Sequence, residues 1–265
     1  MTTPQQRALE QVRPSPIFLG LLGLFVGTGA VLYAGSSNRL VLFVFVLAGW
    51  VVSLSLHEFG HAVSAYRAGD LSVVGKGYLS LDPRHYTVPW LSIGLPILFV
   101  LAGGIGLPGG AVWIDRSAIR SRRDLSVVSA SGPATNLVLA AVLLAPLGAG
   151  WGVSDDRIYF VTGLAWLGLL QIAAAILNLL PVPGLDGYGI IEPYLSPQIR
   201  ARLAPLAGWG ILIIFLVLWR VPAANELFWN TAFRAVEWFG VPEVWAVCGQ
   251  LTFEFWETLP TVCQA

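Results

Sequence analysis

Charged residues are scarce in this chain. They make up 11% of its 265 residues, while hydrophobic residues make up 56%; soluble domains carry about 25% charged residues. The mean hydropathy is +0.72. This composition excludes an ordinary soluble domain and predicts an integral membrane protein. Because the formal net charge is zero, nothing indicates a nucleic-acid partner.

Cysteine is almost absent as well. Only Cys248 and Cys263 occur, both near the C-terminus, so they are too few and too late in the chain to build a metal site. They can pair if that end of the chain faces an oxidising compartment, and two unlinked thiols are an equal alternative. No signal peptide is evident, because the first apolar run, residues 16–33, is long enough to span a membrane and lacks a small-residue cleavage site.

Histidine is also rare, and its distribution is informative. Two of the three histidines lie in His57-Glu58-Phe59-Gly60-His61, an HExxH pattern inside a long apolar stretch. In a helix the two imidazoles lie one turn apart on the same face, where they can bind one Zn²⁺ while Glu58 serves as general base on a water molecule. In a soluble helix this pattern is often incidental and faces solvent. This stretch offers no solvated face, so the pattern predicts a metal site.

The predicted site lies near one end of its helix. At ~1.5 Å per residue, His57 is roughly 25 Å from Leu40 along the helix, most of the way across a hydrocarbon core of ~30 Å. Arg67, Lys76 and Arg84 follow, which marks this end as cytoplasmic by the positive-inside rule. We therefore expect a multi-pass protein of the cell membrane whose site is within the membrane but nearer the cytoplasm.

Apolar runs elsewhere predict an all-α, polytopic helical bundle of about five to six transmembrane helices. Residues 1–15 are expected to be a cytoplasmic tail, residues 16–219 a membrane-embedded core, and residues 220–265 a Trp-rich amphipathic segment. A weak final span near residues 244–255 is an open alternative. The predicted spans are residues 16–33, 40–65, 125–147, 158–180 and 203–219.

The segment after the HExxH helix is predicted to be less regular. Residues 69–85 alternate in character, which favours a short β-hairpin or edge strand. Residues 88–107 are long enough to span but contain prolines and glycines, and a basic segment over residues 116–123 follows. Because basic loops remain in the cytoplasm, we predict a re-entrant element over residues 88–107 in preference to a single span.

Two further polar residues interrupt apolar helices. Asp186 lies in the sequence PVPGLDG, residues 181–187, where prolines and glycines break a helix at the predicted level of the HExxH motif. By itself Asp186 is best explained as a helix cap. Because two histidines leave zinc without a third protein ligand, we predict that Asp186 is that ligand. Asn136 is predicted to form a buried hydrogen bond, and interhelical contact worth about 0.6 kcal/mol is the alternative.

Three motifs together resemble those of the site-2 protease family of intramembrane zinc metalloproteases. They are the HExxH within a membrane helix, SGPATN at residues 131–136, which is similar to the family's SGPxxN, and NLLPVPGLDG at residues 178–187, which is similar to its NxxPxxxxDG. Their order and spacing also fit, and the match covers roughly residues 40–192. The combination is specific, whereas each motif alone is a weaker signal.

The resemblance implies a helical fold around a metal site that water reaches from the cytoplasm. It implies that His57, His61 and Asp186 bind one Zn²⁺ per chain and that Glu58 activates the attacking water. The implied activity is hydrolysis of peptide bonds within or near transmembrane helices of substrate proteins. The expected partners are therefore a transmembrane protein or peptide substrate and the lipid bilayer.

The resemblance also suggests how a substrate is held. By analogy, Asn136 and Asn178 position the substrate, and residues 75–110 correspond to the sheet and hairpin beside which an unwound substrate lies. Many relatives carry an added PDZ or CBS domain. No stretch here is polar and long enough for one, so regulation through such domains is not expected.

The sequence is also compatible with other functions. A zinc-binding membrane protein of the same fold, acting as a client-binding or regulatory factor without cleavage, is the main alternative. A metal transporter would line a path with ionisable groups across the membrane, whereas those predicted here cluster at one depth. A serine-type intramembrane protease fits worse, because no GxSxG-like motif lies in a span. The third histidine, His85, is best explained as an interfacial residue, with a role near the substrate path as the alternative.

Overall fold

Helices account for nearly all of the regular structure. The computed structural model describes residues 13–86 and 112–263, and no strand occurs within those two ranges. Short 3₁₀ turns connect several of the helices. In chain order the helices are α1 (Pro16–Tyr33), α2 (Arg39–Ala68), α3 (Ser72–Gly75), α4 (Pro83–Tyr86), α5 (Arg122–Gly148), α6 (Ile158–Leu179), α7 (Asp186–Ile191), α8 (Pro197–Leu203), α9 (Gly210–Arg220), α10 (Pro222–Glu237) and α11 (Glu243–Phe253).

Four of the described helices are long and apolar enough to cross a membrane. They are α1, α2, α5 and α6, and the count rises to five if α8 and α9 form one broken span. The chain is therefore an all-α polytopic membrane protein, as predicted. The continuous span expected over residues 203–219 is not present, because the chain bends by 66° between α8 and α9, where Pro205 and Gly208 interrupt the helix. With 11 residues, α11 is shorter than the ~20 that a spanning helix requires.

The segment after α2 differs from the prediction. Instead of a hairpin over residues 69–85, the chain forms the short helices α3 and α4. An aspartate precedes each of them and accepts a backbone N–H: Asp70 Oδ1 accepts the Ser72 N–H at 2.9 Å, and Asp82 Oδ1 accepts the Arg84 N–H at 3.0 Å. The hydrogen bond from the Arg84 guanidinium also holds the pKa of Asp82 below its usual range. The re-entrant element expected over residues 88–107 and most of the predicted N-terminal tail lie outside the described residues.

The described chain forms two compact units, each with its own core. The first unit comprises Leu54–Thr135 and Leu177–Arg220 with the residues up to Leu19, and the second comprises Gly20–Ser53, Asn136–Ile176 and Val221–Ala265. Small and aromatic residues fill the core of the first unit, where the second half of α2 packs on the turns that follow it.

The C-terminal part of the second unit is held by one arginine and one disulfide. Arg39, the first residue of α2, donates hydrogen bonds of 2.7–3.2 Å to four carbonyl oxygens at and beyond the end of α11. A guanidinium suits this role because it carries five donors and complements the negative end of a helix dipole. Cys248 and Cys263 form a disulfide, which decides between the two alternatives for these residues.

We expect Arg39→Ala to destabilise the protein by about 2–3 kcal/mol, because helix carbonyls lose a charged donor. The measurement is thermal unfolding of the detergent-solubilised protein. Arg234→Ala is the matched control: Arg234 is an exposed residue of α10, and its removal is expected to cost at most about 0.5 kcal/mol. Equal melting temperatures for the two variants would contradict the proposed role of Arg39.

Candidate metal centre

The helical register of α2 brings the two HExxH histidines together. His57 and His61 are each 6% exposed, and their Nε2 atoms lie 3.1 Å apart. Residues four apart in a helix lie on the same face, so α2 by itself accounts for this pair. Neutral imidazole nitrogens aimed at one point are the arrangement that a zinc ion requires.

The first residue of α7 completes the cluster. Asp186 Oδ2 lies 3.4 Å from His57 Nε2, and Asp186 Oδ1 lies 3.3 Å from His61 Nε2. The loop before α7 turns sharply at Gly184, which has a φ of +97°, a value that favours glycine. The Ser126 hydroxyl of α5 also donates to the Ile190 carbonyl of α7 at 2.6 Å. The loop and this hydrogen bond together set the position of the carboxylate.

The cluster fits a zinc ion. One ligand atom from each of His57, His61 and Asp186 lies within 4.8 Å of the others. Ligands about 2.0–2.2 Å from a tetrahedral zinc are roughly 3.3–3.6 Å apart, close to the observed separations of 3.1–3.4 Å. A zinc ion held between these atoms would keep Asp186 as the anionic carboxylate that a metal ligand must be.

Gly132 of α5 leaves the space that the imidazoles occupy. A Cβ atom at this position would overlap His61 Nε2 and would lie 2.6 Å from His57 Nε2. These are the same two nitrogens that face Asp186. Any side chain at position 132 would therefore displace them, so the glycine is a steric requirement of the site.

A hydrogen-bond network on α5 fixes the orientation of His61. The Nδ1 atom lies 2.7 Å from the Val128 carbonyl oxygen, which can only accept, so Nδ1 carries the proton and Nε2 presents its lone pair to the cluster. The Ser131 hydroxyl donates to the same carbonyl at 2.6 Å and lies 2.8 Å from the Ser64 hydroxyl. Such outer partners hold metal ligands in one tautomer and one orientation.

We expect Ser131→Ala to weaken zinc binding by about tenfold, the lower end of the range for outer-shell partners. The His61–Val128 hydrogen bond remains in this variant, so the zinc site is loosened but retained. The measurement is competition for zinc with a chromogenic chelator. Thr231→Ala is the control, because its exposed hydroxyl likewise bonds to a backbone carbonyl, that of Leu227 in α10, and contacts neither the network of His61 nor the candidate ligands. Unchanged zinc affinity in Ser131→Ala would contradict the network.

Glu58 lines the same cavity as the three candidate ligands. The cavity has a volume of about 170 Å³, and Ser129, Asn178, Val112 and Ile114 also line it. Glu58 is 3% exposed and accepts a hydrogen bond from the Val112 backbone. A buried carboxylate beside a metal site can accept a proton from water.

The Val112–Ile114 wall of the cavity is attached to the end of α2. Asp70 is fully buried, and its Oδ2 accepts the Asp115 N–H at 2.8 Å. The Arg120 N–H bonds to the Ala68 carbonyl at 3.2 Å. Lys76 Nζ donates to the Trp113 carbonyl at 2.6 Å. These bonds fix the segment beside Glu58.

The remaining predicted residues lie in different settings. Asn178 lines the cavity, and its role toward a substrate stays a prediction. Asn136 is 4% exposed, and its Nδ2 donates to Gln171 Oε1 at 2.7 Å, so the predicted buried hydrogen bond is present. His85 lies near the Gly77 carbonyl and the Ser80 hydroxyl, at 3.1 and 3.3 Å, and does not belong to the candidate metal cluster.

The sequence analysis missed several residues that shape the site. The most important are Gly132 and the Val128 carbonyl, with Ser129 and Ile114 in the cavity wall. Gly132 is part of the SGPATN motif, so its position was visible in the sequence. Its contact with the imidazoles was not, because α2 and α5 are far apart along the chain.

Comparison with known proteins identifies relatives along most of the chain. Two relatives carry the name "Putative zinc metalloprotease Rip2". The protein of Mycolicibacterium smegmatis is 44% identical to this chain and that of Mycobacterium tuberculosis is 46% identical, and each alignment covers 93% of this chain and 96% of the relative. "Putative zinc metalloprotease YwhC" of Bacillus subtilis is 32% identical over 72% of this chain and 86% of its own length. No family model and no solved structure matches the chain.

These relatives agree with the chemistry of the cluster. Their names specify zinc and proteolysis, and here two histidines and one aspartate lie at separations that suit zinc. The apolar helices agree with a protein of the membrane. At this level of identity and coverage, the chain belongs to the site-2 protease family of zinc metalloproteases.

Proposed function

We propose that this protein is an intramembrane endopeptidase that hydrolyses peptide bonds within or near transmembrane helices of other proteins. The observation that carries the proposal is the buried Glu58 carboxylate, which lines the same cavity as the His57, His61 and Asp186 cluster. A structural zinc site is closed by four protein ligands, whereas a catalytic site keeps one position open. Three candidate ligands beside an acid match the catalytic arrangement.

In this proposal His57, His61 and Asp186 hold one zinc ion per chain. When bound, zinc would lower the pKa of a water molecule toward ~7 and polarise the scissile carbonyl. The Glu58 carboxylate accepts a proton from the attacking water on one of its oxygens. It then delivers that proton to the leaving amide nitrogen, so that Glu58 ends the cycle as a carboxylate.

The hydrogen bonds of a helix limit the form of the substrate. Inside an α-helix each backbone N–H and C=O is hydrogen-bonded within the helix, so an intact helix does not present a free carbonyl to the site. We therefore expect a substrate helix to unwind before cleavage, and we expect helix-breaking residues near the cleaved bond. Asn178 lies in the cavity wall and is proposed to hydrogen-bond the unwound backbone.

We place the protein in the cell membrane with its active site nearer the cytoplasm. Basic residues accompany the first unit: Arg67 in the last turn of α2, and Arg200 and Arg202 in α8. Arg116 pairs with Glu192 at 3.0 Å just beyond α7. Arginine-rich loops remain on the cytoplasmic side, which supports this orientation.

The test uses the full chain reconstituted in lipid vesicles with a panel of single-span substrates. We expect cleavage inside the apolar span, mapped by mass spectrometry of the products. A zinc chelator is expected to abolish cleavage, and added zinc to restore it. His57→Ala and Asp186→Ala should each lose most of the bound zinc, while His85→Ala, the matched histidine control outside the cluster, should retain it.

Each way in which this experiment can fail favours a different alternative function. Bound zinc without cleavage of any substrate would favour the client-binding or regulatory protein of the same fold. Zinc uptake by vesicles that depends on His57 would favour a transporter. Retention of zinc in both His57→Ala and Asp186→Ala would overturn the ligand set itself.

A further inference from the structure

The second unit contains an apolar groove that the proposed proteolysis does not use. Its volume is about 430 Å³, and nearly all of its lining is apolar. Phe25, Phe45 and Phe160 form an aromatic floor, with the Phe25 and Phe45 rings stacked at 4.8 Å and the Phe45 and Phe160 rings 6.2 Å apart. A site of this size and lining is typical of a small-molecule ligand.

The groove is open on the side formed by α1 and α5. Val26 of α1 and Val142 of α5 line it and are 59% and 62% exposed. Both helices are candidate membrane spans, so in a bilayer this opening meets hydrocarbon. A lipid hydrocarbon chain from the surrounding bilayer can therefore enter the groove.

One end of the groove has a different chemistry. Tyr33 and Trp151 line it there, with their rings stacked at 5.6 Å, and such amphipathic rings mark the level of the lipid headgroups. The Arg157 guanidinium lies over the Tyr33 ring, 4.2 Å from its centroid. Arg157 Nε is buried and has no hydrogen-bond partner among the described residues; the nearest carboxylate oxygen, Asp156 Oδ2, is 3.8 Å away.

We propose that this groove binds one phosphatidylethanolamine molecule. An acyl chain lies along the aromatic floor, and the phosphate accepts hydrogen bonds from Arg157, whose guanidinium matches phosphate geometry. Asp155 and Asp156 share one 3₁₀ turn with Arg157, so two carboxylates accompany this one cation. That balance favours a headgroup with both a phosphate and an ammonium over an anionic headgroup.

The proposal is tested by native mass spectrometry of the zinc-loaded full chain, titrated separately with phosphatidylethanolamine and phosphatidylglycerol. We expect one retained phosphatidylethanolamine per chain and weaker binding of phosphatidylglycerol. Arg157→Gln should weaken phosphatidylethanolamine binding by about tenfold or more, because a charge-assisted hydrogen bond is lost. Val142→Trp should exclude the lipid by filling the groove, and this exposed position keeps the test available if Arg157→Gln does not fold.

Arg234→Gln is the control, because Arg234 is an exposed arginine of the same unit that does not line the groove. It should bind lipid as the wild type does. Equal lipid retention in wild type, Arg157→Gln and Val142→Trp would overturn the site, and tighter binding of phosphatidylglycerol would overturn the headgroup assignment. Zinc content should be unchanged in every variant, so the outcome does not depend on the proposed protease activity.

Discussion

We expect Glu58→Gln to lose nearly all peptide cleavage while zinc stays bound, and this is the first of the two largest effects that we predict. Glutamine has the same shape as glutamate but cannot take a proton from water at neutral pH. General acid–base catalysis contributes about 10²–10⁴-fold to a rate, so we expect kcat to fall by that factor or more. Glu58 is not one of the three candidate ligands, so zinc per chain should stay at the wild-type value.

The measurement pairs the cleavage rate in vesicles with the zinc content of the same sample. Glu226→Gln, at an exposed position of α10, is the matched control and should keep the wild-type cleavage rate and zinc content. Cleavage by Glu58→Gln at the wild-type rate would show that the proton acceptor is another group. Loss of zinc together with activity would instead assign Glu58 a role in holding the site.

We expect Gly132→Ala to lose most of its bound zinc, and this is the second of the two largest effects that we predict. The added Cβ would overlap His61 Nε2 and press on His57 Nε2, so both candidate ligands must move away from Asp186. Loss of an outer-shell partner costs about 10–100-fold in metal affinity. Because two ligands are displaced at once, we expect the upper end of that range or beyond, with a matching loss of cleavage.

The effect of alanine on the stability of α5 itself would be favourable, which is the opposite of its expected effect on zinc binding. Alanine is favoured over glycine inside a helix by about 0.8–1 kcal/mol, so the zinc-free variant should unfold at no lower temperature than zinc-free wild type if the imidazoles can swing aside. Gly23→Ala is the matched control, since a Cβ there meets no atom within 4 Å. Wild-type zinc affinity in Gly132→Ala would refute the steric argument.

The local parts of the structure were predictable because their signals are local. Hydropathy placed α1 at residues 16–33 and α6 close to residues 158–180, and the observed bounds are Pro16–Tyr33 and Ile158–Leu179. Helical periodicity likewise put His57 and His61 on one face. The errors were local as well. The alternating residues 69–85 suggested strands, but the chain forms short helices there, and the Asp70 and Asp82 carboxylates accept backbone N–H groups at the beginning of each.

The site needed information that periodicity does not contain. The depth of a broken helix made Asp186 a candidate ligand, and the structure places its oxygens 3.3 and 3.4 Å from the imidazole nitrogens. Nothing in the sequence pattern predicted that the Val128 carbonyl would meet His61 Nδ1, 67 positions away along the chain. A backbone carbonyl has no residue signature, so only the packing of α5 on α2 reveals it.

By itself the sequence determined that this is a helical membrane protein with an HExxH motif, because apolar composition and helical spacing act over short stretches of chain. The tertiary structure alone decided that Cys248 and Cys263 pair, that Gly132 faces the two imidazoles, and that Arg157 lies over the ring of Tyr33, a residue that lines an apolar groove. Each of these features is a distance between side chains or backbone groups on different elements. Such distances depend on how whole helices pack, and no local pattern in the chain carries them.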